Sequence, residues 1–109
     1  MNTVVKARHM DVTDAMRQHV QEKLGKLPRI FGAAQTAEVT LDVEAGQSVV
    51  EIVVEAPHRT TLVATHRAED MYACIDQCYK KMSEQLRRHK DRVKDHKGTP
   101  LNEQLEAQD

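Results

Sequence analysis

The chain has no tryptophan, one phenylalanine and two tyrosines. That shortage excludes a core built on aromatic packing and predicts a thin, aliphatic one. It also removes the aromatic platform on which sheet-based single-strand binders stack unpaired bases. No apolar run approaches the roughly 20 residues of a membrane span. The opening MNTVVKARHM lacks the apolar segment and cleavage site of a secretory signal, so the expected location is the cytoplasm, with no membrane partner. The two cysteines, Cys74 and Cys78, have no flanking cysteine framework of the kind secreted mini-proteins use, and reduced thiols are expected. The four glycines form no phosphate-binding loop, and no nucleophile elbow or HExxH is present. Neither an enzyme nor a small-molecule substrate is expected.

What the chain does have is charge. It carries 16 Lys and Arg against 17 Asp and Glu, a net −1 at pH 7, and the two signs are sorted along it. In the stretch from Glu69 to Lys97, apolar residues recur at Met71, Ile75, Cys78, Met82, Leu86 and Val93, the stripe of an amphipathic helix. About 27 residues of helix would reach about 40 Å, longer than the body of so small a domain. From Lys80 to Lys97 there are eight Lys or Arg (Lys80, Lys81, Arg87, Arg88, Lys90, Arg92, Lys94 and Lys97) and three acids (Glu84, Asp91 and Asp95), so eight minus three gives +5 and the rest of the chain sums to −6.

In chain order, Thr3 to Arg8 reads as a strand with Thr3, Val5 and Ala7 on one face and Val4, Lys6 and Arg8 on the other. Thr13 is an N-cap for a helix whose stripe is Met16, Val20, Leu24 and Leu27, and Pro28 is expected to set its limit. Glu38 to Glu44 alternates Val39, Leu41 and Val43 with polar residues. Ala45-Gly46-Gln47 turns the chain into a strand with Val50, Ile52 and Val54 inward, and Ala56-Pro57-His58 turns it again into Thr60 to His66, with Leu62 and Ala64 inward. The expected fold is α+β, in the order β-α-β-β-β-α: a four-stranded mixed sheet, the first two strands parallel through a right-handed crossover, with two helices on one face. The other face is expected to be solvated by Glu38, Asp42, Glu44, Glu51 and Glu55. Residues 1–97 form the expected domain, and 98–109 a short, acidic, mobile tail.

Two readings of the basic helix stand at this point. Interleaved acids, with Glu84 four residues before Arg88, suit a solvated face. An excess of five positive charges on a rod attached to an otherwise acidic protein suits a nucleic-acid surface that contacts phosphate and sugar. Cys74 and Cys78 at i, i+4 could ligate a metal with a histidine such as His66. With only two thiols on one helix, packing as small apolar groups is expected instead, with no metal or cofactor. The six histidines are dispersed, and His89 falls in the apolar register of the long helix, where a half-buried position is expected.

The stretch Asp70-Met71-Tyr72-Ala73-Cys74-Ile75-Asp76, followed by Lys81-Met82, Gln85-Leu86, Arg88-His89-Lys90-Asp91-Arg92 and Lys94, resembles the ribosome hibernation promoting factor and ribosome-associated inhibitor family, in its short, sigma-54 modulation protein type. Met10-Asp11-Val12-Thr13 and the pairs Lys23-Leu24 and Lys26-Leu27 resemble it as well. The similarity covers residues 1 to 97. The resemblance implies the strand and helix order derived above. It also implies binding to the small ribosomal subunit and its rRNA in the channel where messenger and transfer RNA lie, and inhibition of translation in stationary phase or stress. By motif match it places rRNA contacts at Lys81, Arg88, Lys90, Arg92 and Lys94, with Lys23 and Lys26 in support, while Lys80 and Arg87 join them from charge alone. Asp70, Met71, Tyr72 and Ile75 are expected to be architectural, so that the helix divides into an anchoring half to Met82 and a contacting half from Lys80. At Glu84 the family commonly has a basic residue, and one phosphate contact is expected to be lost or rearranged there.

Long members of the family carry a further domain that pairs two ribosomes. This chain ends before such a domain, so self-driven pairing is not expected. The choice between a short hibernation promoting factor, which works with a separate ribosome modulation factor, and a tailed inhibitor, which keeps ribosomes single, stays open. The alternative function is a regulatory protein-interaction module acting on transcription, its basic helix docked on an acidic partner.

Overall fold

Strands that alternate apolar and polar residues can bury only one face, and the two amphipathic helices cover it. The computed structural model describes residues 2–28, 35–57 and 59–97, with side chains as far as residue 92. The elements are β1 (Asn2–Arg8), α1 (Asp14–Leu24), β2 (Thr36–Glu44), β3 (Gln47–Ala56), β4 (Thr60–Ala68) and α2 (Met71–Lys97). The sheet order is β1-β2-β3-β4, with β1 parallel to β2 and the other pairs antiparallel. Val5 lies beside Val39, Val39 opposite Ile52, and Ile52 opposite Ala64, so one register carries the core across all four strands. Val20 and Leu24 of α1 and Ile75, Met82 and Leu86 of α2 close that core against Leu41, Val50 and Val54. This is the expected fold. The β2–β3 turn is Ala45-Gly46, with φ of 51° and 77°, the pair of left-handed residues that a two-residue hairpin requires.

The helix ends show what sequence periodicity misses. Thr13 caps α1 as expected, its Oγ1 accepting from the Met16 amide at 3.1 Å. α1 nevertheless stops at Leu24, short of the expected limit at Pro28. Beyond Gly25 the chain tightens into i to i+3 bonds, Lys26 N to Lys23 O at 3.0 Å and Leu27 N to Leu24 O at 3.1 Å. Leu27 thus stays buried in the stripe although the α-helix has ended. α2 begins at Met71, where its apolar stripe begins, because Asp70 is its cap: the carboxylate accepts from Ala73 N at 2.8 Å and the carbonyl from Cys74 N at 2.9 Å.

α2 is anchored further along than expected. Its buried side chains are Met71, Cys74, Ile75, Cys78, Met82, Ser83, Leu86 and His89, so packing passes Met82 by two turns and His89 is buried rather than half-buried. Cys74 and Cys78 are fully buried between α2 and the strands. Cys74 Sγ is 3.1 Å from the His66 carbonyl, and Cys78 Sγ is 3.3 Å from that of Ala64 and 3.4 Å from that of Val50. Burial pushes the Cys78 thiol up to about 12, and raises that of Cys74 as well. Both sulfurs are therefore protonated packing groups at neutral pH. The edge strand β4 is closed by α2 itself, since Lys81 Nζ donates to Thr65 O at 2.9 Å and Gln85 Nε2 to Val63 O at 2.8 Å.

The outer sheet face departs from the expected solvated acidic surface. Lys6 pairs with Glu38 at 3.2 Å and Arg67 with Glu44 at 2.8 Å. Asp42 is buried, 5% exposed, because His9 Nδ1 lies 2.9 Å from its Oδ1 and the Val43 amide donates to the same oxygen at 2.8 Å. The hydrogen bond to His9 is the main cause that holds the Asp42 carboxyl below its usual range, against an opposing contribution from burial. Between the charges stand Val4 and Val63, each 47% exposed, so this face is mixed rather than acidic.

Two outcomes follow from this packing. Leu86→Ala removes a fully buried side chain and should cost about 2–5 kcal/mol in urea unfolding; a loss under about 1 kcal/mol would mean that anchoring ends at Met82. Thiolate is scarce below a pKa of about 12, so Cys78 in the folded chain should resist iodoacetamide at mildly alkaline pH and react fully once urea unfolds it. Rapid labelling of the folded chain would contradict the buried assignment.

Candidate nucleic-acid interface

Because residues advance by about 100° around a helix, the packed stripe fixes where every other side chain of α2 must point. Lys81, Arg88 and Arg92 fall on the flank beside the β4 edge. Lys80 and Arg87 fall on the crest, and Lys90 on the flank toward α1. All six are exposed. The β4-side flank borders a cleft of about 400 Å³ lined by Leu62, Lys81, Glu84, Gln85, Arg88 and Arg92. A second cleft, of about 270 Å³, is lined by Tyr79, Lys80, Ser83, Glu84 and Arg87. Each combines cations with a small apolar or hydroxyl-bearing floor, a surface that suits phosphate and sugar. Lys94 lies within α2, but its side chain falls outside the described residues.

The supporting lysines of α1 are placed differently. Lys23 Nζ is 3.7 Å from Asp76 Oδ1 and 5.8 Å from the centroid of the Tyr79 ring, with its side chain 31% exposed. His19 Nε2 meets the same Asp76 oxygen at 2.7 Å and packs edge-on against Tyr72, ring centroids 5.2 Å apart. Lys23 is thus partly committed to holding α1 against α2. Lys26, in the turn after α1, keeps its ammonium exposed while its carbonyl lies 3.4 Å from the Tyr79 hydroxyl. Tyr79, which lines the smaller cleft, therefore contacts the Lys23 ammonium and the Lys26 carbonyl.

Three features of the surface were not legible as such in the sequence. Lys81 is bound to the Thr65 carbonyl, which leaves two of its three donors for a ligand. Its charge, after the larger effect of burial, lowers the pKa of His66, which favours the neutral imidazole. Gln85 and Leu62 line the larger cleft, and only the path of α2 along the β4 edge brings them together. Glu84, four residues before Arg88, does form the ion pair expected of that spacing, at 3.0 Å. Among the described residues no three side chains gather that could hold a metal ion, and no helix is long and apolar enough to cross a membrane.

The sequence profile described as sigma 54 modulation protein / S30EA ribosomal protein matches residues 3–94. A protein of Azotobacter vinelandii named ribosome hibernation promoting factor is 34% identical over 92 residues, 84% of this chain and 85% of that one. A Bacillus subtilis protein named ribosome hibernation promotion factor is 32% identical over 96 residues, 85% of this chain but 50% of its own length. Among solved structures, the N-terminal domain of Thermus thermophilus Protein Y superposes with a TM-score of 0.76 at 29% identity, over 82% of this chain and 99% of that one. A ribosomal subunit interface protein of Coxiella burnetii, at 21% identity and a TM-score of 0.78 over 84% of this chain and 99% of that one, shares the fold. The profile runs from the first strand into the basic part of α2, and the chain belongs to the sigma 54 modulation protein / S30EA ribosomal protein family.

Proposed function

We propose that this protein is a ribosome hibernation factor. In this reading it binds the small ribosomal subunit in the channel where messenger and transfer RNA lie, and inhibits translation in stationary phase or stress by occupying that channel. The observation that carries the reading is the set of six exposed cations, Lys80, Lys81, Arg87, Arg88, Lys90 and Arg92, spread over both flanks and the crest of one anchored helix. Lys94 would extend the set, and Lys26 and the partly engaged Lys23 would support it from α1. The names of the Azotobacter and Bacillus relatives support the hibernation role, and membership of a family described by a ribosomal protein supports the site of action.

The chemistry asked of the surface is modest. Folded RNA presents phosphates on several sides, and a rigid helix with cations at one-turn intervals can contact two backbones at once without reading sequence. Rigidity matters because cations already held by the fold lose less freedom on binding. Residues 1–97 would be the binding unit, working in the cytoplasm where ribosomes are. Such binding releases counterions and must weaken steeply with salt.

Co-sedimentation with purified small subunits tests the reading. The wild-type chain should travel with the subunit at low salt and be released at high salt. Arg87→Glu with Lys90→Glu should weaken binding by about a hundredfold, lower the slope of log affinity against log salt by about two, and leave the circular dichroism spectrum unchanged. An unaltered affinity in the double variant would place the contact on another surface.

A further inference from the structure

Glu84 occupies an unusual place for an acid. It is the one carboxylate among the residues lining the two clefts on α2, and it lines both. Its Oε1 lies 3.0 Å from Arg88 Nη2, with the two side chains 68% and 67% exposed. We propose that Glu84 is a built-in brake on RNA binding: its carboxylate occupies Arg88 as a phosphate would, and holds the affinity of α2 for polyanions below what its cations would otherwise give. The proposal rests on α2 being the RNA-contacting surface.

A structural explanation of the pair is weak. Exposed i, i+4 ion pairs contribute little to folding, and this stretch of α2 is already fixed by Met82 and Leu86, both fully buried. Lys81 and Gln85, on either side of Glu84 in sequence, hold the helix to the β4 edge without it. Competition, by contrast, follows from chemistry. A guanidinium presents its donors as a planar fork that fits a carboxylate and a phosphate alike, so an anion entering the larger cleft must displace Glu84 from Arg88 or bind without that arginine. The pair is solvent-exposed, so displacement is cheap, and the brake lowers affinity without abolishing it. Asp91 lies outside the linings of both clefts, and its neutralisation is the control for a general change in charge.

The test measures the affinity of the full chain for a short RNA duplex and for purified small ribosomal subunits across a salt series. The variants are wild type, Glu84→Gln, Arg88→Gln, the double variant and Asp91→Asn. Glu84→Gln should bind both probes about three- to tenfold more tightly at low salt and steepen the salt dependence by about one, the signature of one added phosphate contact. The gain should vanish in the Arg88→Gln background and be smaller in Asp91→Asn. Equal affinity of Glu84→Gln and wild type would overturn the proposal, as would a gain that survives Arg88→Gln or is matched by Asp91→Asn. If the wild type binds the duplex and not the subunit, the ribosomal reading fails, while the variants on the duplex still decide the role of Glu84.

Discussion

The contact on which the rest of this molecule depends is the apolar stripe of α2 laid along β3 and β4. Met71, Cys74, Ile75, Cys78, Met82, Leu86 and His89 are buried in succession, which fixes the rotation of the helix about its axis as well as its position. Once that rotation is fixed, every charged residue of α2 has one direction in which to point. Cations bunched in sequence become a crest and two flanks in space. The small thiol side chains of Cys74 and Cys78 allow the helix to come near the strand carbonyls, and Lys81 and Gln85 tie it to the free edge of β4.

Charge then follows from the fold in an asymmetric way. On the outer sheet face, acids meet bases and much of the field cancels, between adjacent strands at Lys6 with Glu38 and across β3 at Arg67 with Glu44. On α2 the exposed cations outnumber the acids, and among the described cleft linings Glu84 alone opposes them. A polyanion approaching the protein is therefore directed to the helix by what the sheet lacks as well as by what the helix has. The α1–α2 junction, with Asp76 between His19 and Lys23, uses part of the positive charge of α1 for internal cohesion. That leaves α2 as the principal surface.

Much of this was legible in the sequence for simple reasons. Period-two alternation at Val39, Leu41, Val50, Ile52 and Val54 gave the sheet and its buried face, and Thr13 gave the start of α1. Ends set by backbone hydrogen bonding were harder. α1 stops at Leu24 because Gly25 takes the C-cap and the chain tightens after it, a stop signal that was masked because Leu27 keeps the helical register. Burial of Asp42 was hidden because it depends on His9, 33 residues away. The candidate cations were all readable as a cluster, but the bond from Lys81 to Thr65 and the placing of Glu84 between two clefts arise only when α2 is laid along an edge strand. Spacing along one element was reliable; contact between elements was not.

The account stands or falls on which surface of this protein meets RNA. An electron cryo-microscopy map of the protein bound to the small ribosomal subunit measures that directly. The account predicts α2 in the messenger and transfer RNA channel, with Lys80, Arg87, Arg88, Lys90 and Arg92 within reach of rRNA phosphates and the outer sheet face turned away. A map in which the protein is held through Val4, Val63 and the outer sheet face, with α2 free in solvent, would contradict it.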